Sequence, residues 1–336
     1  MRLILGLLSV LPFPAQHMGS GDSVQPRDTV SIIESVTPAL PDGVDVDIIG
    51  SDTFVRVQSV GHDVMVTGYK NEPYMHITST GDVFVNDGSQ TTLINGNRYG
   101  DVDTSKFVES AIPVWRKIDT DGRAMWHDHR VHWMSPKRPA PIDSSGTVLE
   151  WKVSMSVDGV ATTVAGTLFL REKASMLWWL AGFAALLCTV VLSVRRRREF
   201  FAVTFLMSMV GVVVGVMQFV GLPDGARITP LILMFSTGAA VVAATSMFIQ
   251  RRGHASQHIA LSLNAGAGAT LIVCAWLCAD QVRAAYVPGV DQEWIVRMLI
   301  PTLLGIGLVV TIDGVMRIVR NTTDLLHGEK VASTSV

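Results

Sequence analysis

Five apolar runs fill the second half of the chain, at residues 176–194, 199–221, 229–249, 259–279 and 295–316. Each is near the roughly 20 residues that a helix needs to cross the hydrocarbon core of a bilayer. Backbone in lipid must satisfy its own N–H and C=O groups, so such runs fold as helices. Before residue 175, polar and apolar residues mix as they do in a water-exposed domain. The sequence therefore predicts a soluble domain over 17–172, a five-helix membrane domain over 173–320 and a loose tail over 321–336.

The basic residues orient this plan. Arg195, Arg196, Arg197 and Arg198 follow the first run, Arg251 and Arg252 the third, and Arg317, Arg320 and Lys330 the fifth. The positive-inside bias puts these segments in the cytoplasm. The loops between them, "GLPDGAR" and "DQVRAAYVPGVDQE", carry one arginine each. A multi-pass cell-membrane protein results, with its first domain extracytoplasmic and its C-terminus cytoplasmic. Residues 1–16, "MRLILGLLSVLPFPAQ", read as an export signal: one arginine, a short apolar stretch, then small residues and prolines. An uncleaved anchor is the rival reading, and Pro12 and Pro14 count against a spanning helix.

Residues 17–172 hold 21 acidic and 13 basic side chains, against 8 and 14 in the remainder. An acidic outer domain excludes nucleic acid as the expected partner, since that binding selects basic patches. The bilayer is the partner that the apolar runs demand. All three cysteines, Cys188, Cys274 and Cys278, fall in apolar runs, so no disulfide is expected in the outer domain. Its stability must come from core packing, sheet pairing or a bound ligand.

Alternation with period two marks half-buried strands. It occurs in "VDVDII" (44–49), "TFVRVQSV" (53–60), "DVMVTGY" (63–69), "YMHIT" (74–78), "VLEWKVSMSVDG" (148–159) and "TTVAGTLFLR" (162–171). Glycine-containing turns separate them, and no amphipathic helix of comparable length is visible. An all-β antiparallel sandwich of about seven strands is expected.

The stretch "AMWHDHRVHWMSP", 124–136, concentrates three of the nine histidines. As a strand it places His127 and His129 on one face about 7 Å apart, close enough to share an ion. His132 joins them only through a bulge or turn. Imidazoles suit copper, zinc, nickel or iron, with copper(II) bound most tightly among the divalent ions. Asp128 or Asp121 is placed to orient an imidazole by accepting its second N–H, with Trp126 and Trp133 as flanking supports. The competing reading is a buried polar network, with tryptophans in the core and histidines bonded to backbone and carboxylates.

Together, "GYKNEPYMHI", "NDGSQTTLINGNRYGD" and "WHDHRVHWMSP" resemble the motifs of a family of exported-domain membrane proteins from high-GC Gram-positive bacteria. The resemblance covers residues 17 to about 170 and implies architecture rather than an activity. It departs at Met75-His76 and at "SQTTLIN", where the family tends to have Leu-Arg and "SPATYLN". It further implies that the mature chain begins at His17. An N-terminal histidine offers an amine and an imidazole together. With His127, His129 and His132 this makes a nitrogen set suited to copper.

Other features are weaker. Tyr69, Glu72 and Tyr74 flank a turn and read as a packed hairpin. Cys274 and Cys278 share a helix face, which suits either soft-metal transfer or simple packing. Asp313 and Arg317 are placed to pair. No nucleophile elbow, phosphate loop or zinc-protease helix is present, so the sequence offers no catalytic constellation. The leading expectation is a membrane-anchored domain that handles a transition metal, copper first. The alternative is a metal-free envelope scaffold or accessory subunit that docks a protein partner.

Overall fold

The computed structural model describes residues 24–105, 107, 112–135, 137–195, 197–252 and 257–334. The expected export signal and His17 lie outside the described residues. The chain divides into two compact units, one formed by residues up to Glu172 together with Leu222–Ile228, the other by Lys173–Gly221 and the residues from Thr229.

In the first unit the strands are β1 (Thr29–Thr37), β2 (Val44–Ile49), β3 (Phe54–Ser59), β4 (Val64–Thr67), β5 (Pro73–Ile77), β6 (Val83–Asn86), β7 (Trp115–Asp119), β8 (Arg123–Trp126), β9 (Thr147–Val157) and β10 (Val160–Leu170). A short helix, α1 (Gln90–Asn95), lies between β6 and β7. One sheet runs β1-β10-β9-β4-β5-β6-β7 and the other β2-β3-β8, with antiparallel pairing throughout. Both inner faces feed one core: Val55, Val57, Ala124 and Trp126 from the small sheet, Val64, Val66, Val153 and Met155 from the large one. β9 shows why the residues fold this way. Trp151, Val153, Met155 and Val157 point inward while Lys152 and Ser154 face out. Asp158 and Gly159 then both take positive φ, the two-residue turn that matches the strand twist.

The six alternating stretches are all strands. Four more were not read as such. β1 slips register between Ile33 and Ser35, which breaks its alternation. β6 has four residues, too few for a periodic signal. β7, "WRKID", is an edge strand whose first three residues are exposed, so nothing in it alternates. β8 is only the first part of the stretch expected to be extended.

The second unit holds α2 (Trp179–Arg195), α3 (Arg197–Val220), α4 (Leu231–Gln250), α5 (Gln257–Leu277) and α6 (Glu293–Thr334). All five are long and apolar enough to cross a membrane. Leu271 and Cys274 of α5 are buried with Leu299, Ile300 and Leu303 of α6, and Cys278 joins the same core. Cysteine here packs as a small apolar side chain. Arg317 donates to Asp313 at 2.6 and 2.8 Å, as the i, i+4 spacing predicts, and also to Ser193 O of α2 at 3.3 Å. α6 continues to Thr334, beyond the point where the sequence suggested a loose tail.

Candidate metal centre

β8 stops at Trp126, so the strand expected over 125–133 does not form. The cause is Asp128. Its carboxylate accepts Trp126 Nε1 at 2.8 Å, and the backbone N, Nε and Nη2 of Arg130 at 3.0, 2.9 and 2.7 Å. A carboxylate bonded to the backbone two residues on makes a turn. Burial pushes the Asp128 carboxyl up, but Arg130 and the Trp126 indole outweigh it and hold it below the usual carboxylate value. Val131 N then donates to Asp128 O at 3.1 Å and closes the turn.

The turn replaces the i, i+2 pairing with a different one. His132 folds back onto His127, with the two Nε2 atoms 3.0 Å apart and the ring centroids 3.9 Å apart. His129 stands edge-on to both, at centroid distances of 5.7 and 5.2 Å. One nitrogen from each ring lies within 4.8 Å of the others. Donors about 2.1 Å from a tetrahedral ion stand about 3.4 Å apart, so the widest pair would close by up to about 1.4 Å when an ion binds.

The remaining nitrogens are held by backbone. His127 Nδ1 faces Thr53 O at 2.6 Å, His129 Nε2 faces Asn97 O at 2.8 Å and His132 Nδ1 faces Asp128 O at 2.8 Å. Carbonyls only accept, so Thr53 O and Asn97 O place ring protons on His127 Nδ1 and His129 Nε2 and leave lone pairs on His127 Nε2 and His129 Nδ1. His132 faces a carbonyl from each nitrogen, so both of its tautomers are satisfied. Fixing one ring N–H on a carbonyl is the arrangement that orients histidine ligands. Arg98 O also lies 2.9 Å from His132 Nε2. The His132 proton either sits on Nε2 and donates to His127 Nε2 or Arg98 O, or sits on Nδ1 and leaves both Nε2 atoms to a metal ion. Burial, followed by the charge of neighbours including Arg98, pushes the His127 and His132 imidazoles down from their ordinary value. Both rings are therefore held neutral, the form in which imidazole donates or accepts within a network and also the form that binds metal.

Charge at the site is mixed. The Arg98 guanidinium is buried beside the rings and opposes any cation. Asp52, fully buried, offsets it from 3.8 Å, with Arg27 at 3.4 Å and Thr29 Oγ1 donating at 2.7 Å.

Sequence reasoning missed the support for this turn. Ser89 caps α1 by accepting from Thr91 N at 3.1 Å. Glu72 accepts from Ser89 Oγ and Thr91 Oγ1 at 2.5 and 2.6 Å, clamping the β4–β5 turn to the helix. Tyr69 donates to Asn95 and accepts from His129 N at 2.8 Å. The residues after α1 then supply the Asn97 and Arg98 carbonyls. "GYKNEPY", "SQTTLINGNR" and "WHDHRVH" thus meet at one place. The capping serine of "SQTT" was the available clue to the helix.

The other expected residues divide. Trp126 is fully buried in the core. Trp133 is half-buried and donates to Lys137 O at 2.6 Å. The Asp128 carboxylate takes no imidazole N–H; its backbone oxygen does. Asp121 pairs with Arg123 at 2.8 Å rather than with a histidine. His76 pairs with Asp63, and His62 with Asp158, each at 2.7 Å. Comparisons with protein-family models, curated proteins and solved structures found no match.

Proposed function

We propose that the β unit is a transition-metal centre carried on the outer face of the membrane by the five helices. The observation that carries this reading is the convergence of three imidazoles whose other nitrogens are fixed on backbone carbonyls. Neutral nitrogen ligands suit copper, zinc, nickel or iron, and copper(II) binds most tightly in the divalent series. An ion would also brace the turn after β8, whose rings are already tied to the Thr53 and Asn97 carbonyls, in a domain without cysteines. The motif resemblance to exported-domain proteins of high-GC Gram-positive bacteria agrees with this placement, and the chelating role of His17 belongs to the same proposal.

Full-length protein purified in mild detergent without chelator is expected to hold about one transition-metal ion per chain by elemental analysis. His129→Gln and His132→Gln should each remove most of it. A wild-type chain that stays metal-free after incubation with copper(II) and zinc(II) would overturn the reading. The Arg98 charge beside the rings favours a second reading, a metal-free polar network within a docking scaffold, and that outcome would support it.

Orientation is tested separately. In a chain whose three cysteines are serine, Ser144→Cys and Asp291→Cys should react with a membrane-impermeant thiol reagent in intact cells, and Ser256→Cys should not. The reverse pattern would place the β unit in the cytoplasm.

A further inference from the structure

The loop after the histidine turn carries a sulfur. Gly100 sits in the left-handed region at φ +67°, and the point its Cβ would occupy is 3.0 Å from Met134 Cε and 3.3 Å from His129 Nδ1. The thioether methyl and the unprotonated nitrogen of His129 therefore lie no more than 6.3 Å apart, across the empty side of a glycine. His129 and Met134 are both half-buried, whereas His127 and His132 are sealed. Met134 thus approaches the least enclosed of the three rings. Methionine has three rotatable side-chain bonds and a soft, uncharged sulfur, so it reaches a neighbouring ligand position by changing rotamer alone.

We propose that Met134 is the fourth donor when the centre holds copper(I), in place of the His17 chelate proposed for copper(II), and that this thioether makes the centre selective for copper over zinc. The proposal rests on the three-histidine reading and adds the identity of the ion. Three imidazoles alone suit zinc as well as copper. A thioether discriminates, because soft sulfur favours copper(I) while zinc takes imidazole, thiolate and carboxylate. Charge points the same way. The Arg98 guanidinium opposes cations beside the rings, and a monovalent ion bound by four neutral donors adds the least charge to oppose. Gly100 leaves the space that this approach needs.

The test uses full-length protein in detergent with Cys188, Cys274 and Cys278 changed to serine, so that metal-bound sulfur can come only from methionine. Copper(I) affinity is measured by competition with bathocuproine disulfonate, and zinc(II) affinity with a chromophoric zinc chelator. Met134→Leu should weaken copper(I) binding about tenfold or more. It should leave zinc(II) affinity within about twofold, since leucine conserves the volume. X-ray absorption of the copper(I) form should show a sulfur neighbour that Met134→Leu removes. Unchanged copper(I) affinity, no sulfur neighbour, or an equal loss of zinc(II) would each overturn the role of Met134. Tight zinc(II) binding with any of these leaves the histidine centre standing. Failure of both ions to bind the parent chain overturns the centre itself, and this inference with it.

Discussion

Asp128→Ala is expected to destabilise the β unit by about 3–5 kcal/mol, the range for removing one partner of a buried ion pair. The substitution leaves the Arg130 guanidinium only the Thr67 carbonyl, removes the carboxylate that accepts Trp126 Nε1, and deletes the bonds that turn the chain after β8. Domains are commonly stable by only about 5–15 kcal/mol, so much of the folded state is at stake. The measurement is the urea midpoint for protease cleavage within residues 24–172 of the full-length protein. Asp128→Asn with Arg130→Met should recover much of the loss, because no unpaired charge then remains buried. A single variant as resistant as the parent would show that the turn does not depend on this carboxylate.

Gly122→Ala should approach that effect by a purely steric route. Gly122 begins the turn into β8 at φ +72°, and a Cβ there would lie 2.3 Å from Ser59 O. Its own carbonyl accepts from Ser59 N at 2.8 Å, so relief of the clash must pull β8 from β3. Gly61 separates the two costs: its φ is +82°, yet nothing lies within 4 Å of its Cβ position. Gly61→Ala should lose only the left-handed backbone term, about 1–2 kcal/mol. Gly122→Ala should lose clearly more by the same proteolysis assay and release bound metal. Equal losses at the two positions would mean that β3 and β8 adjust around the methyl.

Hydropathy and alternation made the architecture legible where one face of an element is buried along its whole length. The apolar runs correspond to α2 to α6, and "VLEWKVSMSVDG" closely delimits β9. Legibility failed where local bonding overrides the period. At "WHDHRVHW" the alternation suggested a strand, but the Asp128 carboxylate holds its own backbone in a turn, so His132 rather than His129 is the close neighbour of His127. The three histidines could be picked out because dense imidazole is rare. Their carbonyl partners could not, because any residue type supplies a carbonyl. Thr53, Asn97 and Arg98 enter the site through main-chain oxygens, and only the folded chain reveals which ones. Met134 was visible as a residue of the motif, but its position beside His129 depends on the left-handed Gly100.

The sealing of His127 and His132 has a consequence for timing. Two of the three rings are closed off once β3, the α1 segment and the β8 turn are assembled. An ion taken up there would have to pass His129, the half-buried ring of the three, before it reached the other two. Uptake and release would then be paced by the movement of that ring rather than by opening of the whole domain.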